Sequence, residues 1–438
     1  EVTSQNRHIV ARLLADVALP YGADLLGMRD LLWLAMTDLV LQVVGSLPTV
    51  IVMEDLQWAD PESVGWVDHL IGRASNRPLL VLALVRPSFW SDHPGRFTGR
   101  DHVRLELRPI SKRAARTIAK AFLGEAVTDA VLDRIAEQAA GLPLFAEELS
   151  RLAAAGGNTE HAPTIEAAIQ ASLDSLGVES RDAVGRLSVF GLTGWDAGLE
   201  SLGMAGAETR LHDLAAVEIL IEQSSSRFAG SREWMFKHSL FRDVLYESLG
   251  ERERRELHAL AADWLASMGE DASVVAGHYD LGGEQQKAAF HWAKAAQRAL
   301  ATNALRDALT MSERALAFAE DKPTGFQRAS CLDEAWSRLD PRASDRETAI
   351  EALEEHVYDD ATAVRARGAR VRYEDARGSG EDISERLAST RDEAAALGLH
   401  DEVARCAAAL ATRLAFAGHF EEAESEANRL LSAVGEPA

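Results

Sequence analysis

The sequence predicts a modular protein. It opens with an α/β core on a parallel sheet and continues through a helical segment and a small module with a β-hairpin. An all-α array of helical repeats follows. Three observations carry this. Thr49–Met53 (TVIVM) and the run LLVLALV from Leu79 are apolar stretches separated by an amphipathic helix-length segment. Strand, helix and strand within about 40 residues is a βαβ unit, whose strands run parallel. Ile219–Gln223 and Glu233–Phe236 flank a polar turn between helical stretches. From about Glu251 onward Ala and Leu dominate, and small residues recur at the spacing of helical repeats, about 34 residues per helical pair.

Each element has its own signal. Leu31–Val44 is apolar at helical spacing and is stopped by Gly45 and Pro48. TVIVM is a β-branched run of the kind buried on both faces of a parallel sheet. Asp60 and Pro61 read as an N-cap and first helical residue, opening a helix with Val64, Val67, Leu70 and Ile71 on one face. Val103–Leu107 (VRLEL) alternates like a short strand. Ser111 caps a helix through Phe122, and Thr128 caps another that ends at Gly141. Gly156-Gly157 and His161–Pro163 form a linker. The two hairpin strands fit the wing of a winged helix, with a helix from His238 to Leu249 behind them. The repeats are clearest in Trp292–Ala315 (Ala296, Ala299, Ala308, Ala315) and in Ala407–Leu430. In the latter Gly418 ends one helix and Phe420 starts the next, with Ala423 and Ala427 on the contact. Lys322–Gly380 is degenerate and is expected to hold one or two irregular repeats. The domain boundaries follow: 1–107, 108–157, 158–250 and 251–438.

Composition excludes several classes. The 438 residues are 47% hydrophobic and 26% charged, a globular profile. A net charge of −23 repels phosphate backbones, so sequence-independent nucleic-acid binding is not expected. The two cysteines, Cys331 and Cys406, lie far apart in Ala-rich helical contexts, which supports neither a disulfide framework nor a zinc site. No apolar stretch is long enough to span a bilayer, and no secretory signal is visible, so a cytoplasmic location is expected.

Four places carry chemistry. Glu54-Asp55 end the first strand, and ligands of open α/β sheets bind beyond the carboxyl ends of strands. One acid there can hold Mg²⁺ and the other can orient a water for attack on a γ-phosphate. Arg86 closes the second strand and can reach the same crevice. Gly141-Leu142-Pro143-Leu144 is a rigid apolar turn that can pack on an adenine ring or simply join two helices. His238 opens a helix and can donate to a phosphate or cap the helix.

The ordered set EDLQWADPES, ALVRP, GLPLFAEEL and FKHSLFRDVLYESL, followed by RRELH, resembles the bacterial STAND ATPases, signal-transduction ATPases with numerous domains. It is most similar to the modules fused to serine/threonine kinases, adenylate cyclases or LuxR-type regulators. The resemblance spans about Leu31–Leu265. It implies a P-loop NTPase core with part of its parallel sheet missing, then a helical subdomain, a winged helix and a tetratricopeptide-like solenoid. On it, Glu54 and Asp55 match the Walker B acids that serve catalysis and Mg²⁺. Arg86 matches the arginine after the sensor strand, and Pro143 the proline that touches the base. His238 matches the histidine at the β-phosphate, although Ser239 stands where that motif has an acid. ATP or ADP with Mg²⁺ are the implied cofactors. The implied partners are a protein bound by the repeats and a fused or associated effector, with signal-induced homo-oligomerisation.

One departure limits this. The phosphate-binding GxxxxGK[ST] is absent, and only 53 residues precede Glu54. Either the P-loop lies upstream of Glu1, or the chain has lost it. On its own the chain is not expected to bind ATP tightly or hydrolyse it. Three function classes stay open: a nucleotide-dependent switch with ATPase activity in the intact protein, a non-catalytic scaffold acting through its repeats, and a transcription regulator. The charge argues against the third.

Overall fold

The computed structural model describes residues 25–45, 48–124, 127–156, 162–378 and 383–434. It divides into two compact units, Glu1–Leu107 with Ala301–Asn303, and Arg108–Leu300 with Ala304–Ala438. Among the described residues it is mostly helical, with two small sheets.

In the first unit, α1 (Leu25–Val44) precedes β1 (Thr49–Met53), α2 (Pro61–Arg73), β2 (Leu79–Ala83) and a one-turn α3 (Phe89–Asp92). Strands β1 and β2 pair in parallel, from Thr49 opposite Leu79 to Met53 opposite Ala83. Asp60 caps α2, its carboxylate accepting from the N–H groups of Glu62 at 3.0 Å and Ser63 at 2.9 Å. Leu56, Val64, Val67, Phe89 and Phe97 form the core under one face of this pair. The expectation that the strands are buried on both faces does not hold among the described residues. Val50 and Val52 of β1 and Leu80 and Leu82 of β2 are exposed. The runs are apolar on both sides, as a doubly covered sheet requires, but the helices described here cover one side. Val103–Leu107 is not a strand either. It has no regular secondary structure and no ladder partner among the described residues, and Val103, Leu105 and Leu107 are exposed.

The second unit begins with α4 (Lys112–Leu123), α5 (Asp129–Gln138) and α6 (Pro143–Ala154). Ser111 Oγ accepts from the Ala114 N–H at 3.2 Å and so starts α4. Ala115, Leu132, Ile135, Phe145 and Leu149 make a small helical core, joined by Ala168 of α7 (Ile165–Asp174). Much of the expected linker, residues 157–161, lies outside the described residues.

Next come α8 (Val178–Leu187), β3 (Thr193–Trp195), α9 (Asp196–Ser201), α10 (Ala207–Ala216), β4 (Leu220–Glu222), β5 (Glu233–Phe236) and α11 (Ser239–Ser248). Strands β4 and β5 form an antiparallel hairpin, and β3 adds to the other edge of β5. The indole of Trp234 on the central strand is fully buried with Leu187, Leu199, Leu211 and Phe241. Burying a side chain of that size contributes about 2–3 kcal/mol.

Ten helices complete the described chain: α12 (Glu251–Ser267), α13 (Ala272–Gly282), α14 (Gln285–Ala301), α15 (Leu305–Leu316), α16 (Lys322–Leu339), α17 (Asp345–Glu355), α18 (Asp360–Arg377), α19 (Ile383–Ala396), α20 (His400–Ala417) and α21 (Phe420–Val434). Consecutive helices pack on one another along most of the array. Ala296, Ala299, Ala308 and Ala315 are buried as the repeat spacing requires. Gly418 adopts φ 86°, the left-handed conformation that ends α20 without a Cβ penalty. The stretch read as degenerate is three regular helices, α16–α18. Its contacts escape an alanine pattern because ion pairs make some of them: Arg346 Nε meets Asp333 Oδ1 at 2.7 Å with the guanidinium buried.

Candidate functional site

The parallel register sets the geometry of the first unit. With Met53 opposite Ala83, the residues that follow both strands emerge at the same edge. Glu54 and Asp55 leave β1 there, exposed, and Arg86 leaves β2. Asp55 turns the chain sharply, at φ 52° and ψ 37°, a left-handed conformation that Asp tolerates better than most residues. Two backbone bonds hold the strand ends together. Leu84 N–H donates to the Met53 carbonyl at 2.8 Å, and Leu56 N–H donates to the Leu84 carbonyl at 3.2 Å.

Side chains add to this clamp. The Gln57 amide donates to Asp55 Oδ1 at 2.8 Å, and its oxygen accepts from the Arg86 backbone N–H at 3.1 Å. The Arg86 guanidinium lies 5.8 Å from the ring centre of Trp58, whose indole is 74% exposed. Asp60, at the start of α2, is held below the usual carboxylate range. Its partial burial pushes the other way, and hydrogen bonds from the Ser63 hydroxyl and the Ser63 and Glu62 N–H groups outweigh it.

The donor set suits a magnesium–phosphate complex better than a closed metal cage. No group of three or more His, Cys, Asp or Glu residues able to hold an ion occurs among the described residues. Mg²⁺ bound through one or two carboxylates takes its remaining ligands from water and phosphate oxygens. Glu54 and Asp55 fit that role, and both face solvent.

In the second unit, Pro143 is the first residue of α6, exposed, so the expected turn is also a helix start. The bend before it is tight. Ala140 and Gly141 both have positive φ, and a Cβ on Gly141 would come within 2.9 Å of the Ile110 carbonyl oxygen, so that position requires glycine. His238 is the N-cap of α11, but its side chain makes no capping bond. Its Nε2 is buried without a hydrogen-bond partner among the described residues. Burial holds its pKa below the usual value, against the pull of Glu147.

A charge cluster surrounds that histidine, and sequence reasoning missed it. Arg151 of α6 donates to Glu147 at 3.0 Å, to Glu218 at 3.1 Å and to the Val217 carbonyl at 3.1 Å. Lys237, just after β5, reaches Glu147 at 3.1 Å and Glu218 at 2.8 Å. Glu148 is 1% exposed, and burial pushes its carboxyl up to about 7 although Arg151 and Lys237 pull it down. The cluster therefore ties α6 to both ends of the β4–β5 hairpin. Its only sequence signal is the i,i+3 and i,i+4 spacing of Glu147, Glu148 and Arg151.

Glu54, Asp55 and Arg86 are thus together in the first unit. Pro143 and His238 lie in the second, on different elements, α6 and the start of α11.

Comparison with known proteins is sparse. No family model matches the chain. A curated relative, an uncharacterized protein of Rhizobium meliloti (strain 1021), is 24% identical over 229 residues, 48% of this chain and 22% of its own length. The chain therefore spans about a fifth of that relative. Among solved structures, a Signal Transduction ATPase with Numerous Domains (STAND) protein with a tetratricopeptide repeat sensor, from Pyrococcus horikoshii, is similar over 93% of this chain and 64% of its own. The identity is 12% and the TM-score 0.43. Among the described residues no helix is long and apolar enough to cross a membrane.

Proposed function

We propose that this chain is part of a nucleotide-dependent signal-transduction switch of the STAND ATPase type. ADP holds its NTPase, helical and winged-helix parts closed, and a signal or protein partner bound by the helical repeats opens them. The observation that carries the reading is the convergence of Glu54, Asp55 and Arg86 at one edge of a parallel strand pair, the edge where α/β sheets bind ligands. Bound Mg²⁺ would neutralise phosphate charge there. The chain's own residues have separate tasks: Glu54 and Asp55 hold the ion or orient a water, and Arg86 meets phosphate oxygens. Pro143 is assigned to the base and His238 to a phosphate. The His238 Nε2 is buried as the chain stands, so a contact with phosphate requires the start of α11 to expose that atom. A cytoplasmic location, a fused or associated effector and signal-induced self-association complete the proposal.

Asp55→Asn in the intact protein is expected to abolish Mg²⁺-dependent ATP turnover. Turnover at the wild-type rate would refute the site assignment. A second reading is a scaffold without nucleotide chemistry that acts through its helical repeats. Nucleotide co-purifying with the full-length protein supports the switch, and an empty protein that takes up no ADP supports the scaffold.

A further inference from the structure

We propose that Gln57 is the positioning residue of this site, fixing the Asp55 carboxylate relative to the end of β2. The inference rests on the nucleotide-switch reading above, and deepens it.

One amide serves both strand ends. Its NH₂ donates to Asp55 Oδ1 at 2.8 Å, and its oxygen accepts from the Arg86 N–H at 3.1 Å, across 29 residues of sequence. The orientation is unambiguous, because an ionised carboxylate only accepts and a backbone N–H only donates. A flipped amide would set oxygen against oxygen and donor against donor. Asp55 needs such a tether. It stands exposed in a left-handed turn, where nothing but its own loop restrains the side chain. A carboxylate free to rotate loses that freedom when it takes an ion, whereas a hydrogen-bonded one is already oriented. Partners of this kind behind a metal-binding carboxylate typically carry about 10–100-fold in affinity.

The same bridge joins the acid to the arginine's backbone. Movement of Asp55 is transmitted through Gln57 to Arg86, whose guanidinium rests over Trp58. The two residues assigned to cation and phosphate therefore share one mechanical link. The replacements that separate positioning from bulk packing follow from the chemistry. Leu keeps apolar volume and deletes both bonds. His retains one N–H donor and one lone pair, and so can restore the bridge.

The test uses the full-length protein with ADP and Tb³⁺, a hard, oxygen-seeking stand-in for Mg²⁺. Trp58 sits three residues from Asp55 and sensitises terbium luminescence. Gln57→Leu is expected to weaken Tb³⁺ binding by about 10–100-fold with an unchanged far-UV circular dichroism spectrum, and Gln57→His to recover most of the loss. A Leu variant that binds Tb³⁺ like wild type, while Asp55→Asn does not, overturns the role of Gln57 alone. Wild type and Asp55→Asn behaving identically overturns the site itself. A Leu variant that loses affinity and is not rescued by His assigns Gln57 to packing, and also overturns the proposal.

Discussion

Replacing Glu402 by Leu is expected to destabilise the C-terminal helical repeats by about 3–5 kcal/mol, the cost of stranding a buried cation. Glu402 of α20 is 1% exposed, and its carboxylate pairs with Arg372 of α18. Gly368, one turn before Arg372, makes the room, because a Cβ there would collide with the Glu402 carboxylate. Cys406 closes the pocket, its sulfur 3.5 Å from Glu402 Oε1 and 3.6 Å from Arg372 Nη1, and burial pushes its thiol up to about 12. Deleting the carboxylate leaves the mostly buried Arg372 guanidinium without it. The double replacement of Glu402 and Arg372 by Leu should recover part of the loss; Arg405, whose Nε lies 3.2 Å from Glu402, keeps only its Asp401 partner. In a repeat array each unit couples mainly to its neighbours. Amide-exchange protection should therefore fall in α18–α21 and persist in α12–α15. A loss below about 1 kcal/mol, the range of solvated surface pairs, would refute burial as the source of the effect.

That pair shows where sequence reading succeeds and where it stops. TVIVM and LLVLALV announced two strands because β-branched and bulky apolar runs have few other uses, and the acids after the first fell where a parallel pair presents them. The hairpin strands were legible because polar turn residues separate two short apolar runs. Capping at Ser111 and Asp60 was legible because it is local, within three residues. Contacts that depend on which elements meet were not. Gln57 reads as a polar loop residue until β2 brings the Arg86 N–H beside it. Lys237 and Glu147 are 90 residues apart and look like ordinary surface charges. Lys322–Gly380 lacks a clear alanine pattern because part of that packing is made by Arg346, Asp333 and Arg372. VRLEL misled for the converse reason: alternation gives a strand its faces but not the neighbour it must hydrogen-bond to.

Acidification is expected to weaken the junction between α11, α12 and α13, through a histidine pair that folding keeps neutral. His258 Nδ1 and His278 Nδ1 stand 3.0 Å apart, and Tyr246 Oη is 2.8 Å from His258 Nε2. One Nδ1 must carry the proton and the other the lone pair, so a doubly protonated pair would set donor against donor. Burial lowers His258 to about 3 and His278 to about 4, helped in His258 by its neighbour and in both by Arg242. Arg242 and Arg254 both lie over the Tyr246 ring. The sign follows from the lowered values. Below about pH 6.5 the unfolded chain binds protons that the folded one refuses, so stability falls with pH until the folded pair itself titrates near pH 4. At pH 5 each histidine has lost about 2 kcal/mol relative to pH 7.5, about 4 kcal/mol for the two. Glu148 works in the opposite direction over the same range, because burial raises its carboxyl and the folded state then binds the extra proton. The informative quantity is therefore a difference between proteins. Wild type should lose about 4 kcal/mol more than His258→Gln/His278→Gln between pH 7.5 and pH 5, read by urea unfolding and by amide exchange in α11–α13. Parallel pH dependences in the two proteins would show that the pair is already hydrated and free to protonate in the folded state.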